Sequence, residues 1–216
     1  MNTSALLVTL VLAGSGNELN VDAAPELPKT GMGAIAPAAM PAGAISGYAL
    51  LGAPDVKVGY RQGISLFELE ANAGFNYLTA AFSLDVGARM AVYKRGMLTL
   101  APALGVGLVL NSGARYFDAR NFGYSGLRPR AGLYGSLAFS EVVSGIFLAE
   151  VPWTFAFQGG YQATPTAGVG AEFQLTKDLS GVVLGQLGVD VIKEPVGFPF
   201  ARAAWAVRMG LGYRFF

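Results

Sequence analysis

The sequence contains no cysteine and no histidine in its 216 residues. The first absence excludes disulfides, thiolate chemistry and cysteine metal sites. The second removes the commonest general base and the commonest metal ligand. Charge is sparse as well. Only 13 % of residues are charged and the formal net charge is +1, so there is no electrostatic case for nucleic acid. Long hydrophobic runs are missing too. Although 53 % of residues are hydrophobic, none of them form the roughly 18 uninterrupted apolar residues that a spanning helix needs. The longest candidate, residues 98–110, is broken by Pro102, Gly105 and Gly107. A mean hydropathy of +0.45 without a spanning helix leaves a large soluble core or a closed sheet in lipid.

What is present is alternation. In residues 200–216, Arg202, Arg208 and Arg214 hold even positions, while Trp205, Val207, Met209, Leu211, Tyr213 and Phe215 hold odd ones. That is the period of a strand with one polar and one apolar face. A helix would scatter arginines six apart around its axis. Eight earlier segments alternate in the same way, at 55–61, 65–76, 78–92, 97–110, 127–139, 143–158, 165–175 and 181–191. A tenth strand is expected at 43–51, within an Ala/Gly-rich stretch carrying Pro37 and Pro41. The 30 glycines suit turns and close strand packing.

The charges divide by face. Arg61, Glu68, Glu70, Asp85, Arg89, Arg128, Arg130, Glu150, Glu172, Asp190, Arg202, Arg208 and Arg214, with Lys57, all share the polar parity. A lipid-facing charge would cost roughly 2–4 kcal/mol near the bilayer midplane, so a charge-free face is what a membrane barrel requires. The expected fold is therefore all-β: an antiparallel up-and-down transmembrane β-barrel of about ten strands, with eight as the alternative. Short turns at Gln62 and Gly63, at 94–96, at 140–142 and at 176–180 fall on one end. Longer connections, at 111–126, 159–164 and 192–199, fall on the other. Pro102, Pro129 and Pro152 lie inside the expected strands and call for bulges or strand ends there.

The alternating strands, the turn asymmetry and the terminal Tyr213, Arg214, Phe215 and Phe216 resemble the small Gram-negative outer-membrane β-barrel proteins, of the OmpA-like and OmpX-like kind. The resemblance covers roughly residues 31–216 and is one of architecture. It implies a bacterial outer-membrane location, outer-membrane lipid as solvent, and an assembly signal at Tyr213, Phe215 and Phe216 read by the barrel-assembly machinery. Here the apolar parity runs through Phe215, a shift of one from the usual register. Upstream, residues 1–23 read as a secretory signal peptide, with an apolar core at 5–14 and small residues at 21–23, although MNTS lacks a basic residue. Residues 24–30 read as a linker and 31–216 as the barrel.

The luminal polar network is the main constellation: Arg61, Glu68, Glu70, Asp85, Arg89, Arg128, Arg130, Glu150, Glu172, Asp190, Arg202 and Arg208. Buried charges must pair, so the acids are expected to be ion-pair partners of the arginines. The expected function is an integral, non-enzymatic barrel, structural or surface-interacting, with a charge-paired lumen. A narrow channel for small polar solutes is the alternative. A lipid-modifying enzyme is the least favoured reading, since those families use histidine. No catalytic residue, metal site or cofactor is expected. The 111–126 loop, with Arg115, Tyr116, Phe117, Arg120, Phe122 and Tyr124, is the candidate surface for an extracellular partner, or its aromatics rest on the barrel rim.

Overall fold

A computed structural model describes residues 33–117 and 119–215. The expected signal peptide, the linker and Phe216 lie outside the described residues. The strands in chain order are β1 (Ile45–Ala53), β2 (Asp55–Ile64), β3 (Phe67–Asn76), β4 (Ala81–Met90), β5 (Tyr93–Arg95) and β6 (Leu98–Ser112). They are followed by β7 (Gly123–Ala138), β8 (Val143–Ala156), β9 (Tyr161–Ala163), β10 (Thr166–Gln174), β11 (Leu179–Lys193) and β12 (Phe200–Arg214). All pairings are antiparallel: β4 and β5 both pair with β6, β9 and β10 both pair with β8 and β11, the other strands pair with their neighbours in sequence, and β1 also pairs with β12, from Ser46 opposite Arg214 to Ala53 opposite Val207. The sheet therefore closes on itself. β4 and β5 lie along one line, as do β9 and β10, so the wall is a barrel of ten staves.

Alternation decides which side chains face out. Along β12, Ala201, Ala203, Trp205, Val207, Met209, Leu211 and Tyr213 are exposed, while Arg202, Arg208 and Arg214 turn inward. Leu84 and Val86 of β4, Leu104 and Leu108 of β6, Trp153 and Phe155 of β8, and Leu187 of β11 belong to the same outer surface. A soluble sheet protein would bury these residues and expose its charges. This barrel does the reverse: Arg61, Glu68, Glu70, Asp85, Glu172 and Asp190 are buried.

The interior prolines explain where the ladders lapse. The β4–β6 ladder stops at Arg89 opposite Ala103, just short of Pro102, and resumes as β5–β6 at Tyr93 opposite Leu100. The β7–β8 ladder skips Arg128 and Pro129, and the β8 ladder lapses opposite Pro152 and Pro165 where β9 gives way to β10, with the Thr164 amide still donating to the Pro152 carbonyl at 3.0 Å. Proline has no N–H to give, so each sits where one neighbour is released. At Pro102 the register shifts by one, since four steps from Arg89 to Tyr93 face three from Ala103 to Leu100, so the expected bulge is present there. At Pro129 and Pro152 the pairing keeps one register on both sides of the gap, and the strands carry simple breaks in bonding instead.

Three expected boundaries move. The first short turn lies at residues 65–66, not at Gln62 and Gly63, because the Arg61 face continues to Ile64 and pairs through to Phe67. Ser65 adopts a positive φ of 55° there. The long connection is 113–122, since β6 and β7 extend to Ser112 and from Gly123. The tenth strand lies at Ile45–Ala53, two residues beyond the expected start. The larger surprise is the stretch before it. Residues 33–44 are not part of the wall. They fold as a series of bends inside the barrel, at the end where the chain enters β1 and leaves β12, with Ala34, Ala36, Ala38, Met40 and Ala44 buried.

Candidate functional site

The lumen has three levels, built from luminal positions of facing strands. Nearest the chain ends is a floor formed by residues 33–44. Arg61 of β2 donates from Nη1 to the carbonyls of Ala34 and Ile35, at 3.2 and 2.6 Å, and from Nη2 to that of Pro37 at 2.7 Å. The same guanidinium donates to both oxygens of Glu68 on β3, at 2.6 and 2.8 Å. Glu68 in turn accepts from the Met40 amide at 2.6 Å. Ser46 donates to the Ala34 carbonyl at 2.9 Å, and Ser136 accepts from the Ala38 amide at 3.3 Å.

Glu172 of β10 completes the floor. Its carboxylate accepts from the successive amides of Ala34 (2.7 Å), Ile35 (3.1 Å to each oxygen) and Ala36, and from the Ser180 hydroxyl. Converging backbone N–H groups make a concave anion site. Among the described residues Glu172 has no ion-pair partner. This corrects the expectation that an arginine would pair with it. The sequence carried no signal for it, since backbone amides look alike in every sequence.

Above the floor lies a ladder of alternating charge. Arg89 of β4 contacts Glu70 and reaches toward Glu68, at 3.9 Å, while its guanidinium stacks 3.6 Å from the Tyr134 ring centroid. Arg130 of β7 contacts Glu70 of β3 across two intervening staves. It can do so because the wall beneath it is glycine. A Cβ on Gly105 would stand 2.8 Å from Arg130 Nε, and one on Gly87 would stand 3.0 Å from its Nη2. Glu150 accepts from the Tyr134 hydroxyl at 2.9 Å and from Gln186 at 3.3 Å. Neutral donors thus serve the expected ion-pair acceptor Glu150. The opposite wall is apolar: Leu50, Ile146, Leu148, Val182 and Leu184 pack together and against Ala36.

The third level is a cavity of about 520 Å³ in the half of the lumen toward the longer loops. Its wall carries Arg128 bidentate on Asp85, Arg202 on Asp190 at 2.9 Å, and Arg208 bidentate on Asp55 at 2.5 and 2.7 Å. Asp190 also accepts from Gln162 (2.7 Å) and Thr164 (2.9 Å). Sequence reasoning left out Asp55, which stands at the first position of β2. The inward parity of Lys57 and Arg61 was the signal that could have found it. Lys57 lines the same cavity. In the 113–122 loop, Tyr116 and Phe117 project into solvent, while Arg120 lies 5.4 Å from the Phe200 ring centroid on the far wall. Asn121 ties the loop to the wall through the Thr79 carbonyl at 3.0 Å. Tyr124 points into the lumen, against Gln162.

No protein-family model matches the chain, and no curated protein matches it. Among solved structures the chain is similar to outer-membrane expressed OmpT of Vibrio cholerae, with 10 % identity and a TM-score of 0.39, covering 74 % of this chain and 56 % of that one. It is similar to KdgM porin at 11 % identity and a TM-score of 0.40, covering 80 % and 99 %. NanC porin gives 10 % and 0.38, covering 79 % and 98 %. The chain thus spans 56 % of OmpT's length but nearly all of KdgM and NanC. These are likenesses to outer-membrane β-barrels in outline, not to the OmpA-like or OmpX-like kind in particular, and no residue role is taken from them.

Substitutions at two positions test the lumen. Arg61→Met should destabilise the barrel by about 3–5 kcal/mol, because it strands a buried carboxylate and three floor carbonyls. Equilibrium unfolding in urea measures it, and a loss under about 1 kcal/mol would mean the floor is not held this way. Gly105→Val should cost about 1–3 kcal/mol by crowding Arg130 off its path to Glu70. Gly105→Ala should fall between wild type and valine in the same titration.

Proposed function

We propose that this protein is an integral β-barrel of the bacterial outer membrane, non-enzymatic, with a charge-paired lumen sealed at one end. The observation that carries the reading is the reversal of faces: the outer wall is apolar around the whole closed sheet while the buried charges sit inside. β6, β7, β8, β11 and β12 run 14 to 16 residues, and a tilted strand crosses a bilayer in about 9–11. Trp153 stacks on Phe155 and Tyr213 meets Phe215 edge-on at the outer surface, as residues of an interfacial girdle do. With the chain ends periplasmic, the short turns face the periplasm and the 113–122 loop faces outward.

In this reading the role is structural or surface-interacting. Tyr116 and Phe117 on the outer loop are the groups offered to an extracellular partner, and Tyr213, Phe215 and Phe216 are the signal offered to the assembly machinery. Among the described residues each luminal carboxylate has a structural partner in an arginine, a backbone amide or a neutral side-chain donor. A second reading, a narrow channel for small polar solutes, is favoured by one observation, the polar cavity of about 520 Å³.

The outer face gives one expected outcome. Val86→Arg, in the middle of β4, should cost roughly 2–4 kcal/mol when unfolding is followed in lipid vesicles. An unchanged stability would place that face in water. A second outcome concerns the seal. The wild-type barrel should shift on gels when boiled and stay electrically silent in planar bilayers. Steady discrete openings of the wild type would replace the sealed reading with the channel.

A further inference from the structure

We propose that the floor formed by residues 33–44 is a displaceable gate, and that the lumen it closes is a pathway for small monovalent cations whose preference is set by Glu172. The inference rests on the membrane-barrel reading above and goes beyond it, since that reading needs only a sealed lumen.

The wall and the floor are held by different bonds. Arg61–Glu68, Arg89–Glu70, Arg130–Glu70, Arg128–Asp85, Arg202–Asp190 and Arg208–Asp55 join one stave to another. All of them survive if the floor leaves. What closes the periplasmic end is a stretch of chain whose only covalent link to the wall among the described residues is through Ala44 to Ile45. Most of its buried side chains are alanines, at 34, 36, 38 and 44. A methyl buries little apolar area, so the floor is held chiefly by its backbone groups. Their main anchors are Arg61, Glu68 and Glu172.

Glu172 differs from the other luminal acids. Arg61 keeps Glu68 when the floor is gone, but Glu172 keeps only the Ser180 hydroxyl. Its charge is offset by three floor amides and by no guanidinium among the described residues. Withdrawing the floor therefore leaves one uncompensated carboxylate at the mouth, facing a lumen whose other ions stand in salt bridges, apart from Glu150 and Lys57, which are of opposite charge and line the same cavity. A single fixed negative charge at a constriction attracts cations and repels anions. The closed form is the resting one, because opening also uncovers the apolar wall around Leu50, Leu148 and Val182.

The test uses the full chain in planar bilayers under a KCl gradient. Ile35→Pro removes the amide that reaches both Glu172 oxygens and leaves the carboxylate in place. It should produce discrete openings, with a reversal potential displaced toward the potassium equilibrium value. Adding Glu172→Gln should keep the openings and abolish the displacement. The chain has no cysteine, so Ala36→Cys supplies a unique thiol. A charged maleimide should leave it unlabelled in vesicles unless Ile35→Pro is also present. If the proline variant does not fold, Glu172→Gln alone keeps the shape of the site, and it should open without ion preference. The gate is overturned if folded, heat-shifting variants stay silent with an unreactive thiol, or if they open with anion preference. A wild-type protein that neither inserts nor shifts on boiling would overturn the membrane reading instead.

Discussion

Burying ions inside a narrow tube is the constraint on which the rest of this structure depends. An ion taken from water into a barrel lumen costs several kcal/mol unless partners replace its hydration. The wall supplies partners in the form of arginines and acids on neighbouring staves, and glycines beneath Arg130 and Asp85 give those side chains room to lie flat. The remaining demand is met by main chain. Residues 33–44 bring amides to Glu172 and Glu68 and carbonyls to Arg61. The segment is thus a ligand for the luminal charges as much as a plug.

Strand number connects this to the architecture. Barrel diameter grows with the number of strands, and at eight the interior is just filled by side chains. With ten staves there is more space than these side chains occupy. The structure uses it unevenly. The half nearest the chain ends takes in the segment and becomes a packed core, with Ala36 and Ile35 against Leu50, Ile146 and Val182. The outer half remains a polar cavity, with Asp85, Asp190 and Asp55 each joined to an arginine across or along the wall.

Much of the wall was legible because period-two alternation is a local property. Val86 beside Asp85, or Val207 beside Arg208, declares a face without reference to any distant residue. Strand number followed from counting such segments, and the turn asymmetry gave the two ends. The tenth strand was found within two residues. Pairing by name was not legible, since Arg130 meets Glu70 only once four strands are set side by side. The floor was less legible still. Its Ala, Gly and Pro residues carry no amphipathic pattern, and its function in the fold is performed by backbone groups that every sequence possesses. Glu172 accordingly looked like one more acid awaiting an arginine. The prolines were read in part: Pro102 faces the expected bulge, while at Pro129 and Pro152 the missing N–H opens a gap in a ladder without adding a residue to either strand.

Amide hydrogen exchange of the micelle-embedded protein tests the central claim most directly. If buried luminal ions hold residues 33–44 inside the barrel, the amides of Ala34, Ile35, Ala36 and Met40 exchange as slowly as strand amides such as that of Val183. Exchange of these four at the rate of an open chain, beside a protected wall, would show that the floor is not held by Glu172 and Glu68 and would contradict the account.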